Sequence, residues 1–169
     1  MKWPSKPESE AFQIEKFIEC YSRLPEGLQF EIVSKTESPD YVVRDKGARE
    51  FGVELTSVYL DDRSVPDHHM KETNGLEEIA CDSQAIQQYE SRMIGAIIDK
   101  VCKARKGYEL GKPLILAIYV NEYISIYLNE EELEEMVQRY QGVFDSMHPF
   151  CEIVFWNLGN GGVFRVRNQ

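Results

Sequence analysis

Hydrophobic and polar positions repeat with two different periods along the chain, and the period predicts the type of each element. Apolar residues recur at every third or fourth position over Ser9–Leu24, which predicts an amphipathic helix with Ser9 as its cap. Leu28–Ser34, Asp40–Arg44 and Glu50–Tyr59 are predicted as strands, because side chains alternate between two faces along them. Three strands with short connections after one helix predict an antiparallel meander.

The second half of the chain predicts a long helix, a buried strand, an acidic helix and a hairpin. Gln84–Lys106 has apolar positions at helical spacing, and Pro113–Val120 is apolar nearly throughout, as expected for a strand covered on both faces. Glu130–Phe144 predicts an amphipathic helix. Gly159–Gly162 separates two short strands and signals a C-terminal hairpin, which can either extend the sheet or form a separate edge. Leu60–Ser83 has no clear period and is predicted to be a long loop.

Length and composition fit one domain with a core of its own. The chain has 169 residues, of which 43% are hydrophobic, and it shows no internal repeat or linker. The predicted order, α-β-β-β-α-β-α-β-β, is that of a single α/β domain over residues 1–169. No run approaches the ~20 apolar residues of a membrane span, and the N-terminal residues lack a signal-peptide pattern. A cytoplasmic protein without a membrane partner is therefore expected.

Charge and cysteine usage narrow the classes of partner. A net charge of −10 disfavours a broad surface that coats nucleic acid, because such binding relies on lysine and arginine. Basic residues concentrate in Arg92–Lys112, and this segment fits either a local basic edge or a solvated helix face. The four cysteines are widely spaced and form no CxxC pair, which predicts buried free thiols rather than disulfides or a zinc site.

Two acidic residues lie in or next to predicted strands that are otherwise largely apolar. Asp40 follows Pro39 at the start of the second predicted strand, and Glu54 stands in the middle of the apolar third strand. A carboxylate there is costly unless it is paired, hydrogen-bonded or bound to a metal. If the turn at Asp45–Gly47 makes the two strands antiparallel neighbours, the carboxylates can converge on a hard cation such as Mg²⁺. Alternatively, Glu54 faces solvent and Asp40 only shapes a turn, and spacing alone does not decide between these interpretations.

The two acids belong to a short motif that resembles one known from a nuclease superfamily. Ser38-Pro-Asp40 followed by Gly52-Val-Glu54-Leu-Thr56 resembles the core motif of the PD-(D/E)xK, or restriction-endonuclease-like, superfamily. The predicted order α-β-β-β-α-β over Ser9–Val120 is similar to the core of that superfamily. The resemblance implies an α/β fold with a mixed central sheet, followed here by a helix and a C-terminal β-hairpin.

The resemblance also implies roles for particular residues. In this superfamily the acids of the motif hold the catalytic metal, so Asp40 and Glu54 would bind Mg²⁺ or Mn²⁺, with the carbonyl of Leu55 as a further ligand. Three glutamates of the first helix are candidates for the additional acid that the superfamily often has: Glu10, Glu15 and Glu19. Glu10 is favoured because it falls within the apolar face of the helix. The alternative is that Glu10 lies in the first turn and interacts with the helix dipole.

One residue departs from the pattern of the superfamily. The motif lysine would stand two residues after Glu54, where this chain has Thr56, whose hydroxyl carries no charge. The superfamily can relocate this lysine to the long helix, and by helical angle Lys100 lies within the apolar stripe of that helix. Lys100 therefore resembles a migrated catalytic lysine, and Lys103 at the edge of the stripe is the second candidate. Alternatively, the Lys100 stem covers apolar surface while its ammonium reaches water.

Two functions follow as alternatives. The first is a metal-dependent nuclease that hydrolyses phosphodiester bonds of DNA or RNA, with catalytic residues Asp40, Glu54, Lys100 and Glu10. The second is a catalytically inactive nuclease-like scaffold that serves as a binding or regulatory module, which Thr56 and the charge of −10 favour. Whether the Lys100 ammonium reaches the two carboxylates discriminates between them. Many proteins of the superfamily form dimers, so a homodimer is open as well.

Overall fold

A computed structural model describes residues 5–26, 28–58, 83–108, 111–120 and 128–168, so the predicted loop over Leu60–Ser83 lies outside the described residues except for Ser83. The described chain forms one mixed β-sheet with helices on both faces. In chain order the elements are α1 (Lys6–Ser22), β1 (Glu31–Lys35), β2 (Tyr41–Arg44), β3 (Glu50–Val58), α2 (Ser83–Gly107), β4 (Leu114–Val120), α3 (Glu130–Arg139), α4 (Gln141–Asp145), β5 (Phe150–Leu158) and β6 (Gly162–Arg167). None of the described helices is long and apolar enough to cross a membrane.

The six strands lie in the sheet in their order along the chain, from β1 at one edge to β6 at the other. β1, β2 and β3 form the predicted antiparallel meander. β3, β4 and β5 are parallel neighbours, and β6 returns antiparallel to β5. The fold is therefore α/β with a mixed six-stranded sheet, and the C-terminal hairpin extends that sheet.

Each face of the sheet has its own hydrophobic core. On one face, α1 packs residues such as Phe17 against Leu55 and its neighbours. On the other face, α2, α3 and α4 cover residues such as Leu116, with Ile97 of α2 fully buried among them. Every residue of Leu114–Val120 is buried, which confirms the prediction that this apolar strand is covered on both sides.

The strand β3 divides its side chains between these two cores as its period predicts. Val53 and Leu55 belong to the core beneath α1. Ser57, on the same face, accepts a hydrogen bond of 2.9 Å from the side-chain amide of Gln13 on α1. Glu54 therefore points to the opposite face, beneath α2, because successive residues of a strand alternate between faces. This alternation decides which helix can contact Glu54.

A buried charge pair links α1 to the C-terminal hairpin. Glu152 of β5 accepts a hydrogen bond of 3.0 Å from the hydroxyl of Tyr21 and pairs with the guanidinium of Arg165. Nη2 of Arg165 also donates to the Tyr21 hydroxyl, at 2.7 Å. Both carboxylate oxygens of Glu152 are thus bonded, as the burial of a charged group requires.

The N-cap of the first helix lies four residues before its predicted position. Its N-cap is Ser5, whose hydroxyl accepts from the backbone N–H of Glu8, while the Glu8 carboxylate accepts from the backbone N–H of Ser5. This reciprocal capping box, with proline in the first turn, fixes the start, so the assignment of the cap to Ser9 was wrong. Glu10 consequently lies beyond the first turn, and the helix-dipole interpretation of its position does not hold.

The first strand is shorter and more exposed than its pattern predicts. β1 runs over Glu31–Lys35 instead of Leu28–Ser34, and all five of its residues are exposed. Ile32, an apolar residue of this strand, is 43% exposed. β1 is an edge strand, and a bulge between Ile32 and Ser34 interrupts its alternation. The bulge breaks the period-2 rule on which the prediction rested.

The acidic helix predicted over Glu130–Phe144 is two helices. The chain leaves α3 at Tyr140, whose backbone (φ −111°, ψ 30°) is not helical, and re-enters a short helix as α4. Leu133 and Met136 before the break and Phe144 after it are all buried. The change of direction therefore lets both helices present apolar residues to one core.

The cysteines are free thiols where the structure describes them, but they are not all buried. Cys20 is buried in the core beneath α1. Cys102, on the solvent side of α2, and Cys151 are exposed, so the predicted burial was wrong for both. Cys81 lies outside the described residues.

Gly52 is expected to tolerate no side chain. A Cβ at this position would lie 2.5 Å from Cδ2 of Leu114 and 2.6 Å from Cγ of Pro39, whose ring cannot move away easily. We expect Gly52→Ala to lower the free energy of unfolding by about 2 kcal/mol, as for other overpacked sites. Urea denaturation measures this change. Gly95→Ala is the matched control, because nothing lies within 4 Å of its Cβ, and equal stability of the two variants would contradict the expectation.

Candidate functional site

The register of the meander brings Asp40 and Glu54 together. β2 and β3 are antiparallel, and Tyr41 pairs with Val53. The next position in that register sets Asp40 opposite Glu54, and directly opposed side chains of two strands lie on the same face. The charge of Glu54 acts directly on the ionisation of Asp40, as expected for close neighbours. The convergence predicted from the turn at Asp45–Gly47 is confirmed, and the alternative of a solvent-facing Glu54 is excluded by its burial.

Asp40 is anchored through one of its two carboxylate oxygens. Its Oδ2 accepts a hydrogen bond of 2.8 Å from the backbone N–H of Leu55. Burial first, and then the negative charge of Glu54, raise the pKa of Asp40 to about 6, although the Leu55 N–H and the Lys100 ammonium act in the opposite direction. A carboxyl in this state binds a proton or a cation readily near neutral pH.

Glu54 is buried, and only one of its oxygens has a partner. Its side chain is 4% exposed, and Oε1 lies 2.5 Å from Nζ of Lys100. Oε2 is buried and has no hydrogen-bond partner in the described part of the chain. Glu152 is also buried, yet both of its oxygens are bonded. An unsatisfied buried acceptor costs about 1–3 kcal/mol, so Oε2 of Glu54 marks a position that is suited to a further ligand.

Lys100 reaches the site from α2, across the core. It lies among Ile97, Val101 and Ala104, all buried, and its own side chain is 21% exposed. The helical stripe therefore does direct this lysine at the sheet, and its ammonium contacts Glu54. With both carboxylates ionised, the cluster retains one negative charge in excess.

The carbonyl of Leu55 points toward the same place as the Asp40 carboxylate. The N–H and C=O of one strand residue point to the same neighbouring strand, and the Leu55 N–H is directed at Asp40. The pairing of β2 with β3 ends at Tyr41 and Val53, so Leu55 lies beyond the last paired residue on this side of β3. The Leu55 oxygen is thus available beside the two carboxylates.

The donor set fits a hard divalent cation. Asp40 and Glu54 offer carboxylate oxygens and Leu55 offers a carbonyl oxygen, and Mg²⁺ or Mn²⁺ prefers such ligands. The part of the chain that the structure describes contains no group of three or more His, Cys, Asp or Glu side chains suited to a metal, so other oxygen ligands, such as the Leu55 carbonyl and water, would have to complete the coordination of an ion at Asp40 and Glu54. A cation at this place would also satisfy the unpartnered Oε2 of Glu54.

Two other predicted residues lie near the site without joining it. Glu10 forms ion pairs with Lys35 at 2.9 Å and Lys6 at 3.5 Å, although its charge still acts weakly on Asp40. Lys103 is 62% exposed and pairs with Asp99 on its own helix at 2.9 Å. Of the two candidate lysines, Lys100, the first choice, is therefore the one that contacts Glu54, and a catalytic role of Glu10 stays a prediction.

Tyr108 is a residue of the site that sequence reasoning missed. It follows the last residue of α2, is half-buried against the core beneath that helix, and lies beside Glu54 and Ser38. Burial, and then the interaction with Glu54, raise the pKa of its phenol, so the hydroxyl stays neutral and can donate a hydrogen bond. No periodicity marks Tyr108, because its position depends on how α2 docks on the sheet.

Asp40 is expected to make the metal-free protein sensitive to pH. Its pKa rises from 3.8 to about 6 on folding, so the unfolded chain ionises first and wild-type stability falls as pH rises through this window. Asp40→Asn removes this dependence while keeping an oxygen for the Leu55 N–H. Urea denaturation in the presence of a chelator measures this change. The free energy of unfolding of the variant, relative to that of the wild type, should increase between about pH 4 and about pH 7. A stability difference that is constant over this range would contradict the prediction.

Comparisons with known proteins return no relative of this chain. No family model, no curated protein and no solved structure matches it. Any functional conclusion therefore has to come from the geometry and chemistry of the site itself.

Proposed function

We propose that this protein is a metal-dependent nuclease that hydrolyses phosphodiester bonds through a PD-(D/E)xK-like site with a relocated lysine. The observation that carries the proposal is the contact of 2.5 Å between the Lys100 ammonium and the buried Glu54 carboxylate, with Asp40 alongside. Thr56 leaves the usual lysine position without a charge, and Lys100 supplies one from another element. A lysine kept within an apolar stripe and directed at two acids is unusual for a merely structural surface residue.

The arrangement of elements supports the same proposal. A helix, an antiparallel meander, a second helix and a parallel fourth strand follow one another, as the resemblance to the restriction-endonuclease-like core implies. The acids lie at the start of the second strand and in the middle of the third, which are the positions of the motif. The mixed sheet is extended here by β5 and β6.

Each residue of the site has a chemical task in this proposal. Asp40, Glu54 and the Leu55 carbonyl would hold Mg²⁺ or Mn²⁺, which supplies charge neutralisation at the phosphate and lowers the pKa of bound water. Lys100 would stabilise the negative charge that develops on the phosphoryl oxygens, in a site that is largely shielded from water. The backbone N–H of Leu55 fixes the orientation of Asp40, so that its second oxygen can face the substrate.

The test combines metal binding with hydrolysis. Calorimetric titration of Mg²⁺ and Mn²⁺ into the wild type should give binding that Asp40→Ala and Glu54→Ala both abolish. The same proteins are then incubated with single-stranded DNA, duplex DNA and RNA in the presence of each metal. Metal-dependent cleavage by the wild type, lost in the variants, is the expected result.

A catalytically inactive scaffold is the second candidate, and Thr56 together with the net charge of −10 favours it. A scaffold would fail to cleave any of the three substrates with either metal. It would also show no increase in metal affinity when substrate is added. That pair of outcomes would replace the nuclease proposal with a binding or regulatory role for the same fold.

A further inference from the structure

Tyr108 lies beside the candidate metal site, at the end of α2. Its backbone N–H donates to the carbonyl of Ala104 at 3.3 Å, so the helical turn continues through it. Lys100, Ala104 and Tyr108 follow one another at intervals of four residues, and side chains at this spacing lie toward the same side of a helix. Ala104 is buried, and the half-buried Tyr108 packs against the same core. The helix therefore directs the Tyr108 ring at the sheet, as it does the Lys100 ammonium.

The Tyr108 hydroxyl lies between the two segments that carry the acids. The phenol interacts with the side chain of Glu54 on β3 and with that of Ser38. Ser38 stands two residues before Asp40 in the chain. The position of the helix end agrees with these contacts, because Gly107 and Ser38 line one cavity. A single side chain of α2 thus meets both the strand of one carboxylate and the turn that precedes the other.

The chemistry of these groups fixes the direction of each hydrogen bond. An ionised carboxylate only accepts, so the phenol is the donor toward Glu54. The phenol oxygen keeps its lone pairs, to which the Ser38 hydroxyl can donate. Burial raises the pKa of Tyr108 most, Glu54 raises it further and Ser38 lowers it, as donation to the first and acceptance from the second require.

The Glu54 carboxylate needs such a second contact. Lys100 contacts Oε1 at 2.5 Å, and Oε2 has no hydrogen-bond partner in the described part of the chain. The last torsion of a glutamate side chain has only a weak preference of its own, so a contact to one oxygen leaves the carboxylate free to turn. A donor from a different direction limits this rotation and keeps Oε2 turned toward the position of the cation.

We propose that Tyr108 is a positioning residue of the metal site, whose hydroxyl donates to Glu54, accepts from Ser38 and so orients the Glu54 carboxylate toward the cation. The proposal rests on the metal site of the nuclease function proposed above. Lys100 supplies charge to the site, and Tyr108 supplies direction. Carboxylates that bind a metal are themselves held by hydrogen bonds, and the loss of one such partner weakens metal binding or activity by about 10–100-fold.

Tyr108→Phe removes the hydroxyl and keeps the ring that packs on the core. Calorimetric titration should show that it binds Mg²⁺ and Mn²⁺ about tenfold or more weakly than the wild type does. Tyr140→Phe is the matched control, because Tyr140 is also half-buried against the same core but lies between α3 and α4. It should bind both metals like the wild type. Equal metal affinity of Tyr108→Phe and the wild type would overturn the inference.

Urea denaturation with a chelator tests the hydrogen bond itself in the metal-free protein. Tyr108→Phe should raise the equilibrium constant of unfolding about fivefold, the equivalent of about 1 kcal/mol for one hydrogen bond. In the Glu54→Ala background the same substitution should have a much smaller effect, because the acceptor is gone. Equal effects in the two backgrounds would show that the hydroxyl does not hold Glu54, and the inference would fail.

Cleavage assays with single-stranded DNA, duplex DNA and RNA separate this inference from the proposed function. If Tyr108→Phe weakens metal binding but the wild type cleaves none of the three, the nuclease function fails while the positioning role stands. If the wild type cleaves and Tyr108→Phe keeps its metal affinity, only the positioning role fails. A wild type that binds neither metal would overturn both.

Discussion

Glu54→Gln is expected to abolish metal binding and to reduce hydrolysis by at least about 10²-fold, because even outer-shell partners of a metal contribute 10–100-fold. The amide is neutral and offers one acceptor where the carboxylate offers two. In the metal-free protein the variant also loses a charge-assisted hydrogen bond to Lys100, so its free energy of unfolding should fall by about 2 kcal/mol. Calorimetric titration and urea denaturation with a chelator measure the two effects.

Glu152→Gln is the matched control for this variant. Glu152 is likewise a buried glutamate paired with a cation, but it sits between α1 and the C-terminal hairpin. Its substitution should lower stability to a similar degree and leave Mg²⁺ binding intact. If both variants keep normal metal affinity, Glu54 is not a ligand, and the site has to be sought elsewhere.

Lys100→Met is expected to separate metal binding from catalysis. The linear apolar side chain suits the stripe of Ile97, Val101 and Ala104, but it leaves the Glu54 carboxylate buried without a partner. Breaking a buried pair in this way costs about 3 kcal/mol in the metal-free protein. Mg²⁺ should restore most of that loss, because the cation neutralises Glu54 in place of the ammonium. Hydrolysis should still fall by about 10²–10³-fold, as for the loss of other groups that stabilise transition-state charge.

Thermal denaturation with and without Mg²⁺, together with cleavage assays, tests this prediction. Lys103→Met is the control, since Lys103 is 62% exposed and pairs with Asp99 on the surface. It should change neither stability nor rate appreciably, because exposed ion pairs contribute little. A Lys100→Met variant that cleaves at the wild-type rate would show that this lysine serves the fold alone.

The convergence of the two carboxylates could be predicted because it depends on local rules. A turn of few residues forces its flanking strands to pair, and the alternation along β3 fixes the face of Glu54. The direction of the Lys100 side chain could be predicted in the same way, from the angular position of Lys100 on its helix. In each case the period of a single element sufficed, since the side chains of a regular element have fixed directions.

Predictions failed where a position depends on contacts between distant elements. Leu28–Ser34 was predicted as a regularly alternating strand, but β1 is an edge strand with a bulge, and no local sequence pattern identifies an edge strand. The helical angle of Glu10 could not show that Lys35 from β1 pairs with its carboxylate, and a role of Glu10 in the site stays a prediction. Tyr108 was missed entirely, since it meets Glu54 only after α2 has packed on the sheet.

The sequence by itself determined the class of the fold, the order of its elements and the pair of acids that the meander brings together. These features follow from hydrophobic period, turn residues and the desolvation cost of a carboxylate in an apolar strand. Only the tertiary structure decided that Lys100 contacts Glu54 and that one oxygen of Glu54 is left without a partner among the described residues. Such contacts arise from the docking of helices on a sheet, where small differences in packing move a side chain by several ångströms, and no periodicity along the chain encodes them.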